Sequence, residues 1–120
     1  MRRLVRSFGY AIRGLGALVR AQPNFRVHAA IALVAIGLAA ALRVSALELA
    51  ILALTIALVL ALEAFNTALE AVCDLASPSY HPLVKLAKDT SAAGVLVAAV
   101  AAVVVGLAIF GPRLLALASP

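Results

Sequence analysis

The sequence predicts an all-α membrane protein in which an amphipathic surface helix is followed by three transmembrane helices. Of its 120 residues, 66% are hydrophobic and only 12% are charged, and the mean hydropathy is +1.16. Soluble domains are about 45–50% apolar and about 25% charged, and disordered chains are far more polar. The composition therefore excludes both classes, and the length allows one compact unit.

The first predicted element is an amphipathic helix with its following turn, over residues 1–24. Apolar residues recur there at helical spacing, and arginines recur every seven residues at Arg6, Arg13 and Arg20. A helix with arginines on one side and large apolar residues on the other lies in the membrane interface. The arginines also interrupt the continuous apolar stretch that a cleavable signal peptide requires.

Three apolar segments follow, and we predict a transmembrane helix for each of them, over 25–42, 46–75 and 90–111. A spanning helix needs about 20 apolar residues, so the first segment must tilt or draw its polar ends to the interface. The second helix extends beyond its apolar part toward the cytoplasm. Residues 76–89 are predicted to form a cytoplasmic loop, because two prolines and two serines near its start exclude a continuous helix.

Basic residues are distributed unequally between the two sides of this topology. With the N-terminus in the cytoplasm, eight of the ten Lys and Arg residues face the cytoplasm, and only Arg43 and Arg113 face outward. This positive-inside bias predicts that the N-terminus and the 76–89 loop lie in the cytoplasm, and we expect a multi-pass protein of the inner membrane. The net charge is +5, and the basic residues are not interleaved with aromatic residues. This pattern favours anionic lipid over nucleic acid as a partner.

A stripe of polar side chains on the second transmembrane helix is the main candidate site. Its members are Glu63, Asn66, Glu70 and Asp74. Their spacings of 3, 4 and 4 place them within an arc of about 80° on one helix face. An ionisable side chain in the bilayer core costs about 2.5–3.5 kcal/mol. The stripe is therefore expected to face protein, water or a bound cation.

The segment before the third transmembrane helix supplies basic groups at the same membrane face. It contains His81, Lys85, Lys88 and Asp89. Lysines neutralise phosphates, and carboxylates hold Mg²⁺ together with substrate phosphates, so these are the groups that phosphoryl transfer requires. No Walker-type glycine loop or serine-hydrolase motif is present. His81 and His28 each stand alone, which is typical of a hydrogen-bonded histidine at the interface.

Two other interpretations of the stripe remain open from the residues alone. A polar network between helices would fix packing without chemistry, although one or two amides would be enough for that. A non-catalytic membrane protein, such as a proton-coupled carrier subunit, would use the carboxylates for transport near the bilayer midplane. The displacement of Glu70, Asp74, Lys88 and Asp89 toward one side favours chemistry at a surface.

The segment from Glu63 to Asp74 resembles a signature of the prokaryotic diacylglycerol kinase family, which includes the undecaprenol kinases. That signature reads Glu-x-x-Asn-(Thr/Ser)-Ala-(Ile/Leu)-Glu-x-x-x-Asp. Residues 81–89 are similar to the family's loop with its Lys-Asp pair, and their His-Pro-Leu-x-Lys order looks more like the undecaprenol kinases. Residues 24–28, Asn-Phe-Arg-Val-His, resemble the start of the family's first transmembrane helix.

The resemblance implies a homotrimer with a composite active site that faces the cytoplasm. It also implies transfer of the γ-phosphate of ATP, with Mg²⁺, to a lipid alcohol, with undecaprenol favoured and diacylglycerol next. The implied roles are Glu63 as general base, Asn66 as its support, Glu70 as metal ligand, and Asp74, Lys88 and Asp89 at the nucleotide. Gln22 stands where the family usually has a second metal-binding glutamate, and its neutral amide can bind Mg²⁺ but adds no charge.

Overall fold

Four helices make up the computed structural model, which describes residues 2–119. They are α1 (Arg2–Ala21), α2 (Pro23–Ala41), α3 (Ala46–Ala76) and α4 (Pro82–Ala118). Helices α2, α3 and α4 are each long and apolar enough to cross a membrane, and the described residues contain no strand. The predicted fold class, an all-α protein with three spanning helices, is confirmed. Met1, the first residue of the predicted surface segment, lies outside the described residues.

Helix α1 has the exposed amphipathic character that the sequence predicts. None of its residues is buried, and large apolar side chains such as Phe8, Ile12 and Leu15 are exposed. An apolar helix face that the rest of the chain does not cover suits a helix lying in the membrane interface. Helix α1 ends at Ala21, and the extended backbone of Gln22 (φ −110°, ψ 106°) leads the chain into α2, with Pro23 at the first helical position.

The turn between α2 and α3 ends in a capping box. Ser45 Oγ accepts a hydrogen bond from Glu48 N (3.3 Å), and Glu48 Oε2 accepts one from Ser45 N (2.8 Å). Arg113 of α4 donates to both carboxylate oxygens of Glu48, at 2.8 and 2.7 Å. Such a two-pronged contact is among the stronger hydrogen-bonding arrangements, and it fastens the far end of α4 to the start of α3.

A small apolar core lies at this same end of the helices. It is formed by Ala39 of α2, Leu52 of α3, and Ile109 and Phe110 of α4. Because α2 and α4 run antiparallel to α3, the core fixes all three helices at one end and brings the start of α2, the second half of α3 and the start of α4 together at the other. The polar stripe therefore lies at the end opposite the core.

Helix α4 differs from the prediction at both ends. It begins at Pro82, so only residues 77–81 of the predicted 76–89 loop are non-helical. Proline is compatible with the first turn of a helix, and His81 Nδ1 caps that turn by accepting from Leu83 N (3.2 Å). As a result, Lys85, Lys88 and Asp89 belong to a helix and not to a loop.

At its other end α4 continues to Ala118, past the predicted end at residue 111. Pro112 lies inside the helix, where a proline ordinarily removes a hydrogen bond and crowds the preceding turn. The guanidinium of Arg113, the next residue, binds the carbonyl of Ile109 (2.7 Å) as well as Glu48. The sequence did not predict the contact between Arg113 of α4 and Glu48 of α3.

Candidate active site

A polar cleft of about 250 Å³ lies between α2, α3 and α4. Helix α2 contributes Asn24 and His28, and helix α3 contributes Glu63 and Asn66. The wall formed by α4 is apolar and consists of Ala92, Val95, Leu96 and Ala99. Polar groups from two helices therefore converge against an apolar third side, which lowers the local dielectric and strengthens their mutual interactions.

Glu63 lies at the buried end of the polar stripe. It is 4% exposed and is the one buried charged residue among those that the structure describes. Its Oε1 lies 3.2 Å from Nε2 of His28, whose side chain is 22% exposed. A buried carboxylate is strongly unfavourable unless it is paired and hydrogen-bonded. His28 is therefore the group that makes the burial of Glu63 tolerable.

Asn66 and Glu70 form the next part of the stripe. Asn66 Nδ2 donates to Glu70 Oε1 at 3.0 Å. The other end of the amide, Oδ1, is buried and has no hydrogen-bond partner. An unsatisfied buried acceptor costs about 1–3 kcal/mol, so this oxygen is available to a ligand that supplies positive charge or a donor.

The Asn66–Glu70 pair fits a magnesium ion that is shared with a nucleotide. Mg²⁺ prefers oxygen ligands and is usually bound by one or two carboxylates plus substrate phosphates. The amide Oδ1 and the Glu70 carboxylate are donors of this kind. Among residues 2–119, no group of three or more His, Cys, Asp or Glu side chains could hold a metal. These two donors leave most of an octahedral coordination shell to water or to phosphate oxygens of a ligand.

The exposed end of the stripe is tied to α4 by an ion pair. Lys88 Nζ lies 2.5 Å from Asp74 Oδ1, and the carboxylate of Glu70 also attracts this ammonium group. The Asp74 side chain is 68% exposed, in contrast to the burial of Glu63. Lys85 and Asp89 form a second ion pair one helical turn apart, on the exposed surface of α4.

Five of the seven predicted site residues thus follow one row, from buried Glu63 to the exposed Asp74–Lys88 pair. Asp89 follows Lys88 on α4, where it pairs with Lys85. Gln22, the seventh, is half-buried at the bend between α1 and α2, and its side chain makes no capping hydrogen bond. Sequence reasoning assigned no site role to Asn24 and His28. Their signal was their spacing of four residues, which places both on one face of α2.

A larger apolar groove of about 480 Å³ adjoins the polar cleft. His28 and Thr55 are its only polar lining residues, and His28 and Ala99 line both spaces. The α4 side of the groove extends from Ala99 to Leu114, which corresponds to about 22 Å of helix. The groove therefore leads along the membrane-spanning helices to the buried end of the stripe.

Comparison with known proteins identifies relatives over most of the chain. A family model described as prokaryotic diacylglycerol kinase matches residues 9–110. A diacylglycerol kinase of Synechocystis is 47% identical over 115 residues, covering 95% of this chain and 66% of that protein. An undecaprenol kinase of Bacillus subtilis is 39% identical over 114 residues, covering 95% and 93%. A diacylglycerol kinase of Escherichia coli K12 is 35% identical over 102 residues, covering 85% and 84%.

The family match includes every predicted site residue, from Gln22 to Asp89. It also includes both residues that α2 contributes to the cleft, Asn24 and His28. The chain spans about two thirds of the Synechocystis protein but nearly the whole of the Bacillus protein. The resemblance inferred from the sequence motifs is confirmed: the chain belongs to the prokaryotic diacylglycerol kinase family.

Proposed function

We propose that this chain is a lipid kinase that transfers the γ-phosphate of ATP, bound with Mg²⁺, to the hydroxyl of a membrane lipid. Its family membership supports the class of reaction. The observation that carries the proposal is the row of polar side chains from buried Glu63 to the exposed Asp74–Lys88 pair. This row connects a membrane-embedded site for an alcohol with a water-accessible site for a nucleotide.

At the exposed end, Lys88 would bind phosphate oxygens of the nucleotide. In the free chain Asp74 holds its ammonium group near Glu70, and Asp89 is paired with Lys85 close by. Oxygens of Glu70 and Asn66, with the amide of Gln22, would hold Mg²⁺. When bound, the ion would neutralise negative charge on the phosphates, which is a large part of catalysis in phosphoryl transfer.

At the buried end, Glu63 would accept the proton of the lipid hydroxyl. The lipid oxygen bonds to the γ-phosphorus while the bond from that phosphorus to the bridging oxygen breaks, and ADP leaves with the electron pair. A general base of this kind contributes about 10²–10⁴-fold to a rate. The apolar α4 wall of the cleft would exclude water, which could otherwise accept the phosphoryl group in place of the lipid.

The apolar groove supports a lipid alcohol with one long hydrocarbon chain. Such a chain lying along α4 would bring its hydroxyl to the end of the groove at His28, next to Glu63. Undecaprenol has a single polyprenyl chain that ends in a hydroxyl, whereas diacylglycerol has two acyl chains. We therefore favour undecaprenol as substrate, with diacylglycerol next, and the similar relatives carry both names.

We further propose that the active site and the N-terminus face the cytoplasm, and that the chain assembles as a homotrimer in the inner membrane. The orientation is supported by the positions of the basic residues, since Arg26, Lys85 and Lys88 lie at the same end as the site. Arg43 and Arg113 lie at the opposite end, as the positive-inside rule requires. Assembly is supported by the many apolar side chains of α2, α3 and α4 that are exposed in the single chain.

Phosphate transfer by the purified chain in lipid vesicles tests the proposal. Vesicles containing undecaprenol or diacylglycerol receive γ-³²P-labelled ATP with and without Mg²⁺. We expect Mg²⁺-dependent labelling of lipid, and faster labelling of undecaprenol. Faster labelling of diacylglycerol would reverse the substrate assignment. Unlabelled lipid, together with proton flux across the same vesicles, would instead support the carrier interpretation of the carboxylate stripe.

A further inference from the structure

The imidazole of His28 has no role in the phosphoryl transfer proposed above. It is the only titratable side chain other than Glu63 that lines the polar cleft, and its Nε2 lies 3.2 Å from Glu63 Oε1. It also lines the end of the apolar groove. The imidazole therefore stands between the space that would hold a hydrocarbon chain and the carboxylate that would accept a proton.

We propose that His28 is a positioning residue for Glu63, an inference that rests on the phosphoryl transfer proposed above. In this role His28 Nε2, 3.2 Å from Glu63 Oε1, would carry the proton directed at that oxygen, and the other oxygen, Oε2, would be left to accept the proton of the lipid hydroxyl. A carboxylate has two equivalent oxygens and a rotatable side chain. Fixing one oxygen selects the orientation of the other. A correctly aligned base accelerates a reaction far more than a mobile one does.

The packing of α2 holds the imidazole in this place. Phe25 and Ala32, at 5% and 8% exposure, are buried on the same helix. They lie three residues before and four residues after His28, so the three residues share the inward face of α2. The donor is therefore attached to a fixed part of a helix, and not to a loop that could move away from Glu63.

No other charged group competes for this carboxylate within the cleft. The α4 wall consists of Ala92, Val95, Leu96 and Ala99, and the remaining polar lining residues, Asn24 and Asn66, are uncharged. On α3, the next carboxylate is Glu70, which accepts from Asn66. On α2, Arg26 is exposed, and a separation of two residues turns it away from the face of His28. The imidazole is thus the one titratable partner that the cleft offers to Glu63.

Two substitutions of similar size separate the hydrogen bond from simple space filling. His28→Leu removes the donor, whereas the amide nitrogen of His28→Gln can still donate to Glu63. Partners that orient a functional group by hydrogen bonding are typically worth about 10–100-fold in activity, so we expect kcat of His28→Leu to fall by about that factor. The KM for nucleotide should change little, and His28→Gln should recover most of kcat. Full activity of His28→Leu, or equal loss in both variants, would overturn the inference.

A spectroscopic test does not depend on activity or on the folding of these variants. The chain has two histidines, His28 and His81, so ¹⁵N-histidine labelling gives two sets of imidazole signals. The substitution Glu63→Gln should shift the His28 Nε2 resonance and leave that of His81 unchanged. An unchanged His28 resonance would contradict the contact.

The outcomes separate this inference from the function on which it rests. A wild-type chain that phosphorylates neither lipid would contradict the proposed function, and this inference with it. An active wild type, an inactive Glu63→Gln variant and a fully active His28→Leu variant would contradict the positioning role alone. We expect an active wild type and an inactive Glu63→Gln variant. We also expect kcat of His28→Gln to exceed that of His28→Leu.

Discussion

Glu63 and Glu70 share one face of α3, yet their surroundings differ. They are seven residues apart, which separates their backbones by about 10 Å along the helix axis. That distance is too long for both carboxylates to bind one Mg²⁺ ion from the same helix. Glu63 is buried against His28, whereas Glu70 is bonded to Asn66 and attracts Lys88. The proposed mechanism therefore divides proton transfer and metal binding between them.

Replacing Glu70 tests the metal-binding part of this division. Glu70→Ala removes a carboxylate that would hold the ion, so affinity for Mg²⁺·ATP should fall by at least about 10-fold. A nucleotide-binding titration measures the change, and Thr55→Ala provides a control, because Thr55 lies on the same helix outside the polar cleft and its hydroxyl bonds to the Ile51 carbonyl. Wild-type affinity in Glu70→Ala would show that the metal assignment is wrong.

Gln22 offers a test in the opposite direction. Gln22→Glu places a negative charge where an uncharged amide now lies, and a carboxylate binds a hard cation better than an amide does. We expect the Mg²⁺ concentration needed for half-maximal rate to decrease. A titration of the initial rate with Mg²⁺ measures it, and an unchanged requirement would mean that Gln22 does not contact the metal.

At the scale of the elements, periodicity predicted the helices better than it predicted the contacts between them. The sequence predicted the ends of α2 and α3 to within two residues, because helix-breaking residues lie near these ends, around Pro23, Ser45 and Pro78. Helix α4 was too short in the prediction because a proline can either end a helix or occupy its first turn. In the structure His81 caps the turn that begins at Pro82, and Pro112 lies inside the helix.

The candidate site was predictable along one helix but not between helices. A spacing of 3, 4 and 4 residues establishes that Glu63 and Asp74 share a face of α3. It does not establish which residue of another helix lies opposite each of them. The pairing of Glu63 with His28 and of Asp74 with Lys88 depends on the tilt and register of three helices, and these are set by packing at the distant apolar core.

The capping box at the start of α3 yields a prediction about stability alone. Ser45→Ala removes the hydroxyl that accepts from Glu48 N, and loss of such a cap typically costs about 1 kcal/mol. Unfolding in detergent, followed by circular dichroism, should show this decrease with an unchanged KM for nucleotide. Ser7→Ala on exposed α1 is the control, because that hydroxyl bonds only to the Arg3 carbonyl. Equal effects of the two substitutions would contradict a specific role for the cap.

At the scale of the whole molecule, one chain leaves much of its apolar surface uncovered. Large side chains such as Leu33, Leu54 and Val97 are about 70% exposed on the spanning helices, and α1 buries none of its residues. Lipid tails can cover such surface, and so can further copies of the chain, because packing between helices in a membrane depends on close van der Waals contact. A row of polar residues at one end would then face water at the same membrane surface in every copy.

The proposed homotrimer has a direct physical consequence. Native mass spectrometry of the protein released from lipid nanodiscs should give three times the chain mass of 12.2 kDa. The same preparation should carry full lipid kinase activity, since the resemblance implies an active site built from more than one subunit. An active preparation that contains only single chains would contradict the assembly.

In the proposed mechanism the molecule performs chemistry at its carboxylate row, with Glu63 as the base. Glu63→Gln tests this most directly, because it keeps the size and hydrogen-bonding capacity of the side chain and removes the proton acceptor. Turnover for lipid phosphorylation should fall by about 10²–10⁴-fold, with nucleotide affinity little changed and with Glu48→Gln, the control at the opposite end of α3, remaining active. A Glu63→Gln protein that loses thermal stability but keeps its turnover would contradict the account.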